Sequence, residues 1–218
     1  MEINAVIFDL DGTLLNTLED LADSTNFALR SFGYQQRTID EVRQFVGNGV
    51  AKLIERAIPE GCDNPNFDNC LAVFKQNYSL NMYNKTRPYD GIIDLLKNLK
   101  QKGYKTAVVS NKFDVAVKEL CEKYFSGLID IAVGENEKCG IKKKPSPDTL
   151  NIAIERLSVE KDKCVYVGDS DVDIQTAQNA GIACISVLWG FRDEEFLKNS
   201  GAYKFVRYPK EILNYIEN

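Results

Sequence analysis

Carboxylates gather in two short segments, Asp9-Leu10-Asp11-Gly12-Thr13 and Gly168-Asp169-Ser170-Asp171-Val172-Asp173. Each follows a short apolar run, Ala5-Val6-Ile7-Phe8 or Cys164-Val165-Tyr166-Val167, of the kind that forms a buried strand. Open parallel sheets bind ligands beyond the carboxyl ends of their strands, so both segments fall where a site would form. Asp9 and Asp11 stand two positions apart before a glycine that permits a sharp turn, and both can face one pocket. Asp-Gly is equally ordinary turn chemistry, and the second segment also reads as an acidic cap and first helical turn. If the two strands are parallel neighbours, Asp9, Asp11 and Asp169 converge. Three buried like charges are strongly unfavourable without a cation, and an oxygen-only donor set suits Mg²⁺.

Two other strand ends supply complementary groups. Val109-Ser110-Asn111 closes a third apolar run and offers a hydroxyl and backbone N–H groups near a helix start, a suitable cradle for an anion. Lys144, in Lys142-Lys143-Lys144-Pro145-Ser146-Pro147, precedes a proline-opened helix that would turn it back toward the carboxylates, whereas Lys142 and Lys143 read as a solvated charge run. The sequence contains no histidine. Mechanisms built on Ser-His or Cys-His pairs or on His-ligated metals are therefore excluded. A cation, a hydroxyl, N–H donors and a lysine beside carboxylates amount to a phosphate site with a built-in nucleophile.

The elements that must hold these groups follow from the pattern of apolar runs. Strand-like runs at 5–8, 106–109, 129–133, 164–167 and 183–187 alternate with helix-period stretches at 91–102, 114–124, 147–157 and 171–180, and residues 209–218 read as a last helix. Such alternation implies βαβ crossovers and a Rossmann-like, doubly wound parallel sheet. The first run breaks the pattern, because residues 16–84 show helical periodicity only, with Leu21, Phe27 and Leu29 in one stretch and Phe67, Leu71, Phe74 and Tyr78 in another. The expected organisation is a discontinuous α/β core, residues 1–15 and 85–218, interrupted by an all-helical cap at 16–84.

Composition narrows the class further. The 218 residues carry 27 basic and 32 acidic side chains, a net charge of −5, without the basic footprint of a nucleic-acid or membrane-surface binder. Six cysteines, Cys62, Cys70, Cys121, Cys139, Cys164 and Cys184, show no CxxC and no clustering, which suits reduced thiols in a cytoplasmic protein. No basic leader opens the chain and no run of about 18 apolar residues occurs, so neither export nor a membrane span is expected. The expected partner is a small-molecule phosphate ester, and the expected state is a monomer or homodimer.

Taken in order, Asp9-Leu10-Asp11-Gly12-Thr13-Leu14, Val109-Ser110-Asn111-Lys112, Lys144-Pro145-Ser146-Pro147 and Gly168-Asp169-Ser170-Asp171-Val172-Asp173 resemble the four motifs of the haloacid dehalogenase superfamily. The match spans the chain, and the helical insert is similar to that superfamily's C1-type cap. The resemblance implies a Mg²⁺-dependent phosphotransfer enzyme with an aspartyl-phosphate intermediate. It implies Asp9 as nucleophile and Asp11 as general acid and base. Mg²⁺ would be held by the Asp9 side chain, the Asp11 carbonyl oxygen and Asp169, with Asp173 orienting the site from behind. Ser110, the Asn111 N–H and Lys144 would hold the phosphoryl oxygens.

Asp11 resembles the pattern of the phosphatases and not that of the dehalogenases, which lack this second aspartate and the metal. Absence of histidine disfavours mutases, whose pattern includes a cap histidine. Val46-Gly47-Asn48-Gly49-Val50 is similar to the substrate-specificity loop of phosphoglycolate phosphatases, and reads equally as a turn between two helices. Val187-Leu188-Trp189-Gly190 resembles a second stretch of those enzymes, although Trp189 also suits simple packing. Lys52 and Arg87 could face a second anionic group, but read more simply as solvated. A phosphoglycolate phosphatase-like activity leads, against a pyrophosphatase, nucleotidase or sugar-phosphate phosphatase on the same scaffold. A phospholigand-binding module is the alternative from outside enzymology, and retention of Asp9, Asp11, Lys144 and Asp169 argues against it.

Overall fold

The computed structural model describes residues 2–136 and 140–217; Cys139 lies outside them. The chain forms two compact units, one made of Met1–Leu15 and Pro88–Asn218, the other of Asn16–Arg87.

In the first unit, β1 (Ala5–Phe8) is the apolar run that leads into Asp9. The chain leaves through β2 (Leu15–Asn16) and returns through β3 (Arg87–Pro88), and these pair as a two-stranded ribbon. Then follow α5 (Ile92–Gln101), β4 (Lys105–Phe113), α6 (Asp114–Phe125), β5 (Ile131–Glu135) and α7 (Asp148–Leu157), the α1–α4 labels belonging to the second unit. The unit finishes with β6 (Cys164–Gly168), α8 (Asp171–Ala180), β7 (Ala183–Val187), α9 (Glu194–Asn199), β8 (Phe205–Val206) and α10 (Glu211–Ile216). Six strands form one sheet in the order β5-β4-β1-β6-β7-β8, with every described pairing parallel. The doubly wound sheet expected from the sequence is therefore present.

Strand β1 is central because it is apolar on both faces: all four of its residues are buried, as they must be in a parallel sheet covered on both sides. Ala5 and Ile7 share a core with Ala107 and Val109 of β4, Leu150, Ala153 and Leu157 of α7, and Ile174 and Ala177 of α8. Strand order reverses at β1, the switch point at which a crevice opens beyond the sheet. Register makes this crevice the meeting place of the motifs. Phe8 is level with Val108 on one side and Val167 on the other, so the segments that follow leave the sheet at one end.

Several elements differ from the sequence reading. Strand β4 runs on through Ser110, Asn111 and Lys112 to Phe113, with its register against β5 shifting between Val109 and Phe113. The anion-cradle residues thus lie at the irregular end of the strand, as expected, and the strand continues two residues beyond Asn111. Strand β5 begins two residues later than the apolar run suggested, and the last helix spans Glu211–Ile216 only. The short elements β2, β3, β8 and α9 carried no periodic signal, being too brief for one.

The second unit contains α1 (Leu18–Ser31), α2 (Ile39–Phe45), α3 (Val50–Ala57) and α4 (Phe67–Asn81). Leu21, Thr25, Ala28 and Leu29 form the buried stripe of α1, and Phe27 falls off it and stays exposed. Phe74 and Tyr78 of α4 are fully buried, their rings stacked 5.6 Å apart. Thr38 and Glu41 close a reciprocal capping box that starts α2. This unit ends at Arg87, three residues beyond the sequence boundary. The Asp20 carboxylate accepts hydrogen bonds from the N–H groups of Lys85 and Thr86, and Lys85 Nζ lies 2.7 Å from Asp23, so these residues belong with α1. Among the described residues no helix is long and apolar enough to cross a membrane.

Candidate active site

Asp9 leaves β1 with its N–H donating to the Val167 carbonyl (2.8 Å), which keeps it in line with β6 before its side chain turns into the crevice. Residues 10–15 fold back on themselves, Leu15 N–H donating to Leu10 O at 2.9 Å and Gly12 N–H to Leu15 O at 2.9 Å. Gly12 is required in this turn. Its φ is +87°, and a Cβ there would sit 2.3 Å from Asp169 Oδ2. Gly190 faces the same carboxylate from the other side, where a Cβ would lie 2.3 Å from the Asp169 Cβ.

Lys144 is the hub. Its Nζ donates to Asp9 Oδ1 (2.8 Å), Asp173 Oδ1 (2.7 Å) and the Tyr166 hydroxyl (3.0 Å), and its side chain is 2% exposed. Asn111 clamps the Lys144 backbone: its Oδ1 accepts from Lys144 N–H at 2.7 Å and its Nδ2 donates to Lys144 O at 3.0 Å. The sequence points to a backbone role for Asn111, and the structure adds this clamp by its side chain. Ser110 is buried, its Oγ accepting from the Lys112 N–H at 3.2 Å.

The acidic segment after β6 forms the helix cap that its sequence allows, and it also carries carboxylates to the cluster. Ser170 and Asp173 form the capping box that begins α8. Asp173 also reaches the hub, so every oxygen it has is in use: Oδ2 accepts from Ser170 Oγ (2.6 Å), Ser170 N–H and Asp169 N–H, and Oδ1 from Lys144 and Tyr166. Asp169 accepts from the Phe191 N–H on Oδ2 (2.7 Å) and from Thr13 Oγ1 on Oδ1 (3.4 Å). Trp189 Nε1 donates to the Thr13 carbonyl at 2.9 Å, tying the loop after β7 to the turn that carries Asp11.

Asp11 stands apart from this cluster. Its Oδ1 lies 3.0 Å from Lys112 Nζ, with the lysine 2% and the aspartate 13% exposed. The sequence motifs give no role to Lys112 or to Tyr166. The available signal was compositional: a lysine and a tyrosine inside otherwise apolar, buried strands need partners there.

Ligand oxygens of Asp9, Asp169 and Asp173 lie within 4.8 Å of one another, all buried. Burial pushes Asp9 well above the usual carboxylate range against the pull of Lys144, with Asp173 and Asp169 adding to the rise. Burial, then the charge of Asp173, lifts Asp169 to about 7. Burial opposes the charged form of Lys144, but Asp173 and Asp9 outweigh it and hold the ammonium above its ordinary value. One buried cation faces three carboxylates, and hard oxygen donors with unbalanced negative charge fit a divalent cation. The sequence reading grouped Asp9, Asp11 and Asp169, whereas the carboxylates that converge are Asp9, Asp169 and Asp173. The Asp11 side chain is drawn away by Lys112.

Residues 47–49 lie in the helical unit. The loop joins α2 to α3, with Gly47 at φ 120° and Gly49 at φ 86°. Arg56 spans it from α3, Nη1 donating to the Phe45 carbonyl (2.7 Å) and Nη2 to Asn48 Oδ1 (3.0 Å). Lys52 pairs with Glu55 and Arg87 with Glu19, both in part solvent-exposed.

Three strand ends of a doubly wound sheet and the segment before α7 thus carry carboxylates, a hydroxyl and a buried lysine around one switch point, the arrangement of an α/β hydrolase that works without histidine. The chain belongs to the haloacid dehalogenase-like hydrolases, whose family model matches residues 6–187. It is similar to the phosphoglycolate phosphatase of Aquifex aeolicus, 34% identical over 190 residues that cover 87% of this chain and 86% of the relative. A solved structure from Lactobacillus delbrueckii subsp. bulgaricus, provisionally assigned as a phosphoglycolate phosphatase, superposes with a TM-score of 0.93 at 39% identity, covering 99% of each chain. CbbY from Rhodobacter sphaeroides, solved in complex with phosphate, gives a TM-score of 0.78 at 25% identity over 99% of this chain and 100% of its own.

Proposed function

We propose that this protein is a Mg²⁺-dependent phosphatase that hydrolyses a small-molecule phosphate monoester through an aspartyl-phosphate, with 2-phosphoglycolate as its preferred substrate. The observation that carries the reading is the separation of two carboxylates into different environments. Asp9 is locked in a dry cluster with Lys144, and Asp11, two residues on, is held apart on Lys112. Two carboxyl groups so separated can take different roles. The names of the relatives and the phosphate bound to one of them support the same reading.

Asp9 would attack phosphorus with a carboxylate oxygen, forming the phosphoaspartate as the ester oxygen leaves. Asp11, the more open of the pair, would give its proton to the leaving alkoxide and then take one from the water that hydrolyses the acyl phosphate. Ser110, the Asn111 N–H and Lys144 would hold the phosphoryl oxygens and stabilise the charge that develops on them. The Asp9 side chain, the Asp11 carbonyl oxygen and Asp169 would hold the cation. Asp173 is the poorer ligand despite its proximity, because five donors already occupy its oxygens. When bound, the cation screens carboxylate from phosphate. The helical unit would serve as the cap that excludes water, and its loop at Gly47, Asn48 and Gly49 would select the substrate.

Phosphate release from a panel of monoesters plus pyrophosphate, each at about 0.1 mM with Mg²⁺, tests the reading. A strong preference for 2-phosphoglycolate is expected. A flat profile removes the specificity assigned to residues 47–49, and silence on every compound defeats the phosphatase reading.

A further inference from the structure

The described residues place one more buried polar group on Lys144. Tyr166 is the middle residue of Val165-Tyr166-Val167 in β6, fully buried among Ile7, Val109, Leu150 and Ile174. The ring packs in this apolar layer with the Lys144 ammonium 5.7 Å from its centroid, so a phenylalanine would satisfy the packing. A phenol hydroxyl without a partner in such a layer is costly to bury, and this one is fully partnered. It accepts from Lys144 Nζ at 3.0 Å and donates to Asp173 Oδ1 at 3.0 Å, with the Val109 carbonyl a more distant acceptor at 3.4 Å. Asp173 Oδ1 in turn accepts from Lys144 at 2.7 Å, which closes a triangle of three hydrogen bonds.

An ammonium has three N–H bonds and no acceptor. Those of Lys144 go to Tyr166, Asp173 and Asp9. The first two acceptors belong to β6 and α8, and only Asp9 lies at the end of β1, where the proposed reaction takes place. We infer that Tyr166 is a positioning residue for catalysis: its hydroxyl, with Asp173, commits two N–H bonds of Lys144 away from the substrate, so that the third is aimed at Asp9 and at the phosphoryl oxygen arriving there. The inference rests on the phosphatase reading above. Without the hydroxyl, one N–H bond is left buried without an acceptor, and the ammonium settles between its two carboxylates instead of facing the transferring group.

The test uses the full-length enzyme with Mg²⁺ and p-nitrophenyl phosphate. Tyr166→Phe removes the hydroxyl and keeps the ring, and is expected to lower kcat roughly 10- to 100-fold, the range for a lost hydrogen bond to a charged group. KM should move less than about threefold, because the interaction matters most in the transition state. Proton exchange of the Lys144 ammonium, read by NMR of ¹⁵N-lysine-labelled protein without substrate, should quicken by about tenfold or more, in keeping with the loss of one of its hydrogen bonds. A merely structural role would not produce that signature. Should Tyr166→Phe not fold, as judged by thermal melting, Tyr166→Met fills the space with an adaptable side chain and carries the same expectations. A kcat within about twofold of wild type overturns the inference, and so does a loss of kcat with unchanged ammonium exchange. A wild-type enzyme inactive on every phosphate ester defeats the phosphatase reading, and this inference falls with it. An active wild type with an indifferent Tyr166→Phe defeats this inference alone.

Discussion

The carboxylate cluster of the α/β unit and the 47–49 loop of the helical unit are both held by a basic side chain, but over very different distances along the chain. Lys144 joins Asp9 from 135 residues away and Asp173 from 29. Arg56 holds Phe45 and Asn48 from 11 and 8 residues away, within one helix-loop-helix segment. The first arrangement exists only when the sheet has assembled; the second needs only α2 and α3. The residues proposed to perform chemistry are thus secured by topology, through contacts between segments far apart in the chain. The 47–49 loop, proposed to select substrate, is secured locally, where it can vary without disturbing the sheet.

Breaking the cluster should therefore have the largest effects. Asp9→Asn should abolish detectable turnover, and Asp11→Asn should cost about 10²- to 10⁴-fold, the range for loss of a general acid and base. The Asp11→Asn loss should be smaller for p-nitrophenyl phosphate, whose leaving group needs no proton, than for an alkyl phosphate. Equal losses on both esters would remove Asp11 from the acid role, and residual turnover by Asp9→Asn would remove Asp9 from the nucleophile role.

Stability should respond next. Asp169 is raised to about 7, with burial as the main cause. A carboxyl group raised in the fold favours the folded state below its unfolded value, and that contribution is lost as pH rises through the folded value. Cation-free protein should therefore lose stability from this group as pH rises from 4 to 8. Mg²⁺ held by Asp169, as proposed, would compete with the proton for the same oxygens, so the rise in Tm that it produces should be large at pH 8 and small at pH 5.5. A rise independent of pH, measured by calorimetry with and without EDTA, would place the cation elsewhere.

The loop should show the smallest effect. Arg56→Lys keeps the charge but loses the fork that reaches both Phe45 and Asn48. KM for 2-phosphoglycolate should rise roughly 3- to 10-fold, as for one weakened hydrogen bond, with kcat nearly unchanged. A change in kcat with constant KM would contradict the contrast drawn between the two regions.

The sequence by itself carried whatever depends on neighbours in the chain. Short apolar runs and period-3.6 patterns marked the alternating core and the helical insert, since a strand covered on both faces is apolar throughout and a helix buries one stripe. The spacing of Asp9 and Asp11 and the order of the four motifs marked the chemistry. Tertiary structure decided what depends on which strands become neighbours. The β5-β4-β1-β6-β7-β8 order brings Asp9, Lys144 and Asp173 together, and the irregular end of β4 aims Lys112 at Asp11. Tyr166 reads in sequence as one more apolar strand residue, and only the packed sheet puts its hydroxyl on Lys144. No local pattern encodes these contacts, because the atoms that satisfy a buried charge come from segments that meet only after the apolar faces have chosen their partners.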